Sequence, residues 1–232
     1  MNKENLKESI ESNYDIKVLA IEKVKNSYRL ETENTNYAIK IIKYDFPHFY
    51  FILSAIEHLQ KREFHKIPQI LNNKDGTKYI KLENSYAYLT EWIPSRVSNY
   101  DNPIELSKVA EKLGELHTRS TGFNINNNMR PRIGWYSWIN VFNTRCNEIL
   151  DFKNRINQKA YKSKFDCIYL NNIEAEIERG KKAIDNLKKH KYIEIMDKEV
   201  MKMGFCHHDY AHHNILVDDK NELNIIDFDY CI

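Results

Sequence analysis

The segment from Cys206 to Asp229 constrains the fold and the chemistry of this chain more than any other stretch. Its sequence is CHHDYAHHNILVDDKNELNIIDFD, in which Asn214 follows Asp209 by five positions and Asp227 opens a D-F-x segment. Phosphoryl transfer from a nucleotide needs a carboxylate at the attacking hydroxyl, oxygen ligands for Mg²⁺ and a cation on the phosphates. The segment supplies the first two requirements.

The cation can come from the N-terminal part of the chain. Lys40 lies in YAIKII, a predicted strand, and Glu57 lies on the helix predicted to follow, near enough to reach back and fix this lysine. Each residue taken alone is by default an exposed surface charge, and Glu63 is an alternative partner. Lys40, Asp209, Asn214 and Asp227 occur together and in the order that such a site requires. The four residues as a set therefore indicate a functional site.

Four histidines in the same segment raise the alternative of a transition-metal site. A zinc site needs three or four converging ligands. Adjacent His207 and His208 would point in different directions on an extended stretch, and His212 and His213 fall in a turn where spacers suffice. The catalytic-loop interpretation is therefore favoured over the metal cage, with Asp209 as the functional residue and the histidines orienting it.

The composition fits a soluble globular protein of one large domain or two lobes. The chain has 232 residues, with 35 basic and 33 acidic side chains and a net charge of +2, so nucleic-acid binding is not expected. The four cysteines are far apart, which argues against a disulfide framework and a structural zinc. No segment predicts a signal peptide or a membrane span, so no membrane partner is expected.

The first part of the chain predicts strands and one helix. Alternating apolar and polar residues in YDIKVLAIEKVKNSYRLETENTNYAIKIIKY predict three antiparallel strands. Asp45 and Pro47 predict a helix start. Asp75-Gly76, between two strand-like runs, predicts a hairpin turn. Residues 1–93 are therefore predicted to form a small antiparallel sheet with one packed helix.

The part after Pro94 predicts mainly helices. Asn102-Pro103-Ile104-Glu105 is typical of a helix start with a capping box. Two further helices are predicted near 135–152 and 173–190, and short apolar runs follow. The chain is thus predicted to have an α+β fold with a sheet-rich lobe joined near residues 92–95 to a helical lobe.

Several segments together resemble the CotS family of bacterial spore-coat proteins. These segments are IPQILNNKDGTKYIKLENSYAYLTEWI, AEKLGELHTRSTGF and CHHDYAHHNILVDDKNELNIIDFDYCI. The family is a branch of the superfamily of aminoglycoside phosphotransferases, choline kinases and protein kinases. The resemblance covers essentially the whole chain and implies a bilobal protein-kinase-like fold, with residues 1–93 as the nucleotide-binding N-lobe and 94–232 as the C-lobe.

The resemblance also implies the roles of individual residues in the C-lobe. Asp209 corresponds to the catalytic base, and Asn214 and Asp227 correspond to the ligands of Mg²⁺. Asp229 stands where protein kinases carry glycine. The chain stops at Ile232, where the superfamily continues into further helices, so the resemblance implies a fold truncated at its C-terminus, a fragment or an incomplete C-lobe.

In the N-lobe, the resemblance assigns Lys40 and Glu57 as the pair that anchors the phosphates. The backbone from Glu91 to Ile93 corresponds to the hinge that faces an adenine ring. The implied cofactors are ATP, or another nucleoside triphosphate, and Mg²⁺. The first turn, VKNSYRL, has no glycine, although a phosphate-covering loop usually contains one.

The expected function is an ATP- and Mg²⁺-dependent phosphotransferase that acts on a hydroxyl acceptor. One alternative is a catalytically weak or inactive kinase-like scaffold for spore-coat assembly, and another is a small-molecule kinase of the aminoglycoside or choline type. The resemblance implies a location in the mother-cell cytoplasm and the spore coat, with other spore-coat proteins as partners.

Overall fold

A five-stranded antiparallel sheet forms the frame of the N-terminal half in a computed structural model that describes residues 2–232. The strands lie in the order β1-β2-β3-β5-β4. Their bounds are β1 Ala20–Val24, β2 Ser27–Glu31, β3 Tyr37–Ile42, β4 Ile80–Leu82 and β5 Ser85–Glu91. The first three are the strands that the alternating pattern predicts. Lys40 lies on β3 opposite Tyr88 of β5, in the interior of the sheet.

Two helices pack on this sheet, although the sequence predicted one. Helix α1, Lys3–Asn13, begins at Asn2, whose side chain accepts a hydrogen bond from the Asn5 amide. It buries only Leu6 and Ile10. Two buried positions in a polar segment give too weak a periodic pattern to predict a helix. Helix α2, Phe46–Lys61, follows Asp45 as predicted and buries most of its apolar side chains.

The turn at Asp75-Gly76 does not join two paired strands, so the predicted hairpin is wrong at this position. Gly76 has a φ of 78°, as a tight turn requires, and its amide bonds the Asn73 carbonyl. Ile70, before the turn, pairs with Thr90 of β5 and not with the residues just after the turn. The hairpin instead joins β4 to β5.

Helix α3, Pro103–Arg119, starts where the sequence predicts it. Asn102 accepts hydrogen bonds from the first helical amides, as an N-cap does. Glu105 does not reach back to the Asn102 amide. Its carboxylate instead binds the Arg96 guanidinium and the Asn99 amide, so only half of the predicted capping box forms.

A second, three-stranded sheet carries the segment with the candidate catalytic residues. It consists of β6 Ser95–Val97, β7 Ile215–Asp218 and β8 Leu223–Ile225 in the order β6-β7-β8. Strands β7 and β8 form a hairpin between Asn214 and Asp227, and the Ile226 amide bonds the Asn214 carbonyl. The hairpin therefore brings Asn214 and Asp227 together.

Residues 133–202 form a separate compact unit, and the rest of the described chain forms the other. The separate unit contains α4 Trp138–Asn157, α5 Lys164–Lys189 and α6 Tyr192–Lys202. Helix α5 begins earlier than predicted because Ser163 and Asp166 form a complete capping box. No helix within residues 2–232 is both long and apolar enough to cross a bilayer.

These units differ from the two predicted lobes. The first unit, up to residue 132 and from 203 to 232, holds both sheets and all seven site residues predicted from the sequence. The assignment of 1–93 and 94–232 as lobes stays a prediction.

Candidate active site

A cavity of about 490 Å³ in the first unit is lined by residues of both sheets. Lys40 enters it from β3, and Asp209, Asn214 and Asp227 enter it from the segment around the β7–β8 hairpin. The four residues predicted to carry the chemistry therefore share one cavity, although Lys40 is far from the others in sequence.

Asp209 and Asn214 are held against each other. The Asn214 side-chain amide donates to the Asp209 carbonyl oxygen at 2.9 Å and to the Asp209 carboxylate Oδ2 at 3.0 Å. Asn214 is buried in a short 3-10 turn, His212–Asn214, which ends at β7. The amide thus fixes one carboxylate oxygen of Asp209 and leaves the other oxygen free of this contact.

His207 connects the Asp209 loop to the strand that precedes Asp227. Its Nδ1 accepts a hydrogen bond from the Asp209 amide at 3.3 Å, and its Nε2 lies 2.9 Å from the Ile226 carbonyl oxygen. The ring therefore carries its proton on Nε2 and is neutral. Burial lowers the pKa of His207, which favours the same state. This histidine fixes backbone geometry.

Asp227 has an unusual backbone conformation. Its φ is 68° and its ψ is 63°, in the left-handed region, and it directly precedes a 3-10 turn, Phe228–Tyr230. This conformation is uncommon outside glycine, although aspartate and asparagine adopt it more often than other residues do. Phe228, the next residue, is buried in the core, and the centroid of its ring lies 4.6 Å from the centroid of the His207 ring. These contacts hold the segment in this shape.

Lys40 lies between two carboxylates. Its ammonium nitrogen Nζ is 2.5 Å from an Asp227 oxygen and 3.1 Å from an Asp229 oxygen. The three side chains are only 10, 22 and 14% exposed, respectively. Burial, more than any other effect, raises the pKa of Asp229. One ammonium and two carboxylates leave an excess negative charge when all are ionised, which suits a further cation at this end of the cavity.

The predicted ion pair between Lys40 and Glu57 does not form. Glu57 contacts Lys78 at 3.4 Å and Lys61 at 3.9 Å, and it does not line the cavity. Its neighbour on α2, Ile56, lines the cavity instead. Successive helical residues point about 100° apart, so α2 turns Glu57 away from the cavity. Asp229 takes the position beside Lys40 that the sequence assigned to Glu57.

The segment predicted to face an adenine ring borders the same cavity. Glu91 ends β5, and Glu91, Trp92 and Ile93 all line the cavity. The Trp92 amide is bonded to the Asn36 carbonyl, and the Ile93 carbonyl accepts from the Ser95 hydroxyl. Apolar side chains also line the cavity: Ala38, Ile67, Leu216 and Ile225. The hinge role of Glu91 and Ile93 stays a prediction.

The turn without glycine also reaches the cavity. Residues 24–27 line it and form a two-residue hairpin loop in which Val24 pairs with Ser27. Lys25 has a φ of 51°, so a non-glycine residue adopts the left-handed conformation here. The loop therefore approaches the cavity despite its lack of glycine.

The residues around the cavity fit a nucleotide with a hard cation. Within residues 2–232, no three His, Cys, Asp or Glu side chains form a group suited to a metal ion. Mg²⁺ is commonly held by one or two protein oxygens together with phosphate oxygens and water. Asn214 and Asp227 could supply the protein oxygens, and the apolar residues near the end of β5 suit a flat ring.

A family model described as "Spore coat putative kinase YutH" matches residues 7–230. The chain belongs to this family. The resemblance to spore-coat proteins of the kinase-like superfamily is thereby confirmed.

Solved structures with the same fold include antibiotic phosphotransferases. An aminoglycoside phosphotransferase from Alicyclobacillus acidocaldarius is 18% identical, with a TM-score of 0.84 over 97% of this chain and 66% of that one. A spectinomycin phosphotransferase in complex with ADP and spectinomycin is 19% identical, with a TM-score of 0.69 over 100% of this chain and 70% of that one. The chain thus spans about two thirds of their length.

A third similar structure is an amicoumacin kinase in complex with AMP-PNP and Ca²⁺. It is 13% identical, with a TM-score of 0.60 over 100% of this chain and 65% of that one. At such identities the likeness shows the fold alone. The α+β, kinase-like fold predicted from the sequence is confirmed.

Sequence analysis assigned no site role to Asp229, and it expected the histidines as a group to orient Asp209. Asp229 follows Asp227 in a D-F-D pattern, and two carboxylates two positions apart in a tight turn could have suggested a shared cation. No sequence pattern singled out His207 among the histidines, because its role depends on the carbonyl of Ile226.

Proposed function

We propose that this member of the YutH family transfers the γ-phosphoryl group of ATP, or of another nucleoside triphosphate, to a hydroxyl group with the help of Mg²⁺. The observation that carries the proposal is the convergence of Lys40, Asp209, Asn214 and Asp227 on one cavity. Phosphoryl transfer depends chiefly on positioning and charge, and these four side chains are of the types it needs.

Each residue has a definite task under this proposal. Asp209 orients the acceptor hydroxyl and takes its proton, while the Asn214 amide holds the Asp209 carboxylate in place. Asn214 and Asp227 offer oxygens to Mg²⁺, and Lys40 offers its ammonium to the phosphates. When bound, Mg²⁺ neutralises charge on the transferring group.

The nucleotide base would lie near the end of β5. The backbone of Glu91–Ile93 borders the cavity there, and Ala38 and Leu216 supply apolar surface from the two sheets. Three of the similar structures contain ADP, AMP or AMP-PNP, which supports nucleotide binding by this fold. Mg²⁺ and the preference for ATP are our proposal for this chain.

The test is the transfer of label from γ-labelled ATP to a panel of hydroxyl compounds, with a spore-coat extract as a further acceptor. Asp209→Asn should lower transfer by about 10²–10⁴-fold, because a positioned base contributes that much. Asp219→Asn, an exposed position in the β7–β8 hairpin, is the matched control and should leave transfer unchanged. Equal transfer by Asp209→Asn and the wild type would reject the role of Asp209.

A second candidate function is a kinase-like scaffold in the spore coat, with little or no catalysis. The family description and the glycine-free turn at residues 24–27 favour it. Thermal unfolding with Mg²⁺ and millimolar ATP separates the two. A ligand at a hundred times its Kd stabilises the folded state by about 2.7 kcal/mol. No increase in the melting temperature with any nucleotide would favour the scaffold function.

A small-molecule kinase of the aminoglycoside or choline type shares the same catalytic residues and differs in its acceptor. The spore coat and the mother-cell cytoplasm are the locations we propose from the family, with other coat proteins as partners.

A further inference from the structure

Arg132 is stacked between two tyrosines in the first unit. Its guanidinium carbon lies 5.2 Å from the centroid of the Tyr44 ring and 5.2 Å from that of the Tyr230 ring. Tyr44 follows β3, and Tyr230 ends the 3-10 turn after Asp227. These three side chains are called the Arg132 clamp below. Cation–π contacts with two rings favour this position of the guanidinium before any ligand arrives.

The clamp lies beside the charged end of the cavity. Tyr230 lines the cavity and follows Asp229, whose carboxylate contacts the Lys40 ammonium. The segment Glu91–Ile93, which we assign to the base of the nucleotide, lies on a different element of the fold, at the end of β5. The clamp is thus next to the residues that we assign to the phosphates.

Arg132 has no protein anion as partner among residues 2–232. Its neighbour Arg130 pairs with Asp45 at 3.1 Å, and Arg96 pairs with Glu105 at 2.8 Å. Arg132 is exposed and makes no such ion pair and no hydrogen bond within that range. The guanidinium contacts both aromatic rings, and its N–H donors stay available to an anion. A fork of N–H donors of this kind matches a carboxylate or a phosphate.

The carboxylates around Lys40 would repel an anionic acceptor. The cavity holds Asp209 and Asp227, with Asp229 directly beside them, against the ammonium of Lys40. An acceptor that carries a negative group therefore needs an additional cation near the site of transfer. Arg132 is a preorganised cation at this place, and its donors have no other assigned use.

We propose that the Arg132 clamp binds an oxyanion of the acceptor, so that the substrate is a hydroxyl compound carrying a phosphate or a carboxylate. This inference rests on the proposed phosphotransferase function and narrows its acceptor class. It distinguishes the chain from kinases of cationic acceptors such as choline, for which an arginine at this place would be repulsive.

The test compares the binding of matched probes with and without the anionic group. Their affinities are measured by isothermal titration calorimetry in the absence of nucleotide. The anionic probes are glycerol 3-phosphate, phosphoserine and gluconate, and the neutral probe is glycerol. The wild-type protein should bind at least one anionic probe and should not bind glycerol measurably. Arg132→Gln should weaken that binding by about tenfold or more, because it removes a charged, two-donor contact.

Two further variants make the comparison specific. Arg132→Lys keeps the charge but loses the planar fork, so its affinity should fall between those of the wild type and Arg132→Gln. Arg130→Gln removes a nearby positive charge that is already paired with Asp45 and should leave the affinity within twofold. Thermal unfolding of each variant identifies any loss of fold.

Two outcomes would overturn the proposal. One is no binding of any anionic probe by the wild type, and the other is equal affinity of Arg132→Gln and the wild type for every anionic probe. In the second case, a loss of ATP affinity in Arg132→Gln would assign the clamp to the nucleotide. Arg132-dependent probe binding without any phosphoryl transfer would support the clamp and reject the proposed phosphotransferase function.

Discussion

The two compact units are stabilised by contacts of different range. In the first unit, the main core joins residues that are far apart in sequence, such as Phe49 of α2 with Ile225 and Phe228 near the C-terminal end. The unit of residues 133–202 consists of helices that follow one another along the chain, and several of its large apolar side chains are exposed, including Phe152 and Phe165. The first unit therefore depends on long-range packing, which also fixes the cavity.

The ion pairs differ in the same way. In the first unit, Lys40 meets Asp227 and Asp229 across most of the chain length, and all three are largely buried. In the helical unit, most ion pairs join exposed residues three or four positions apart on one helix: Arg145–Glu148, Asp151–Arg155, Glu176–Arg179, Glu178–Lys182 and Glu199–Lys202. Pairs of the second kind contribute about 0.3–0.5 kcal/mol each.

The largest effect expected from this difference is on core packing. Phe49 is fully buried, so Phe49→Ala should lower the free energy of unfolding by about 3–5 kcal/mol. Phe152 is 51% exposed in the helical unit, so Phe152→Ala should lower it by less than about 1 kcal/mol. Urea denaturation of both variants gives the two values. Similar losses would contradict the comparison and indicate that the apolar face of the helical unit is packed.

The next effect concerns the buried charges. Asp229→Asn removes one of the two carboxylates that position the Lys40 ammonium. A hydrogen bond to a charged group contributes about 1.5–3 kcal/mol to such positioning, so kcat/KM for ATP should fall about 10- to 100-fold. Glu57→Gln breaks only exposed or half-exposed pairs with Lys61 and Lys78 and should change kcat/KM less than threefold.

The matched control in the helical unit is Glu176→Gln, which removes a surface pair with Arg179 and should have no effect on turnover. Steady-state kinetics and a thermal melt of each variant separate lost positioning from lost fold. A larger fall in kcat/KM for Glu57→Gln than for Asp229→Asn would contradict this assignment and would favour the Lys40–Glu57 pair predicted from the sequence.

The smallest effect tests how tightly the helical unit is packed. A Cβ atom at Gly180 of α5 would collide with the Cys146 sulfur of α4. Alanine in a helix is normally about 1 kcal/mol better than glycine, but overpacking costs about 1–3 kcal/mol, so Gly180→Ala should destabilise by about 1 kcal/mol. The double variant Gly180→Ala, Cys146→Ala has room for the methyl group. We expect it to recover the loss in thermal unfolding; if it does not, the two helices do not meet at this point.

Local patterns in the sequence predicted most of the fold. The strands β1 to β3 and the helices α2 and α3 follow from alternation, helical spacing and caps, which are properties of neighbouring residues. The hairpin at Asp75-Gly76 was wrong because turn residues specify a bend without specifying which strands pair. Helix α1 was missed because its buried face contains only Leu6 and Ile10.

Four members of the candidate site could be predicted from the sequence, but the contacts between its residues could not. The order of Lys40, Asp209, Asn214 and Asp227 indicated a shared site, and the structure brings these four to one cavity. The partner of Lys40 depends on the rotation of α2 and on a tight turn after Asp227. Neither is a property of local sequence, because tertiary packing determines both.

The backbone of Asp227 has a consequence for selection. An L-residue in the left-handed conformation costs about 1–2 kcal/mol relative to glycine, which adopts this conformation without penalty. Glycine at this position would therefore relax the chain, yet it would remove a carboxylate from the Lys40 ammonium. Removing one partner of a buried ion pair costs about 3–5 kcal/mol, which exceeds the gain in the backbone, so selection for stability alone would already keep an aspartate here.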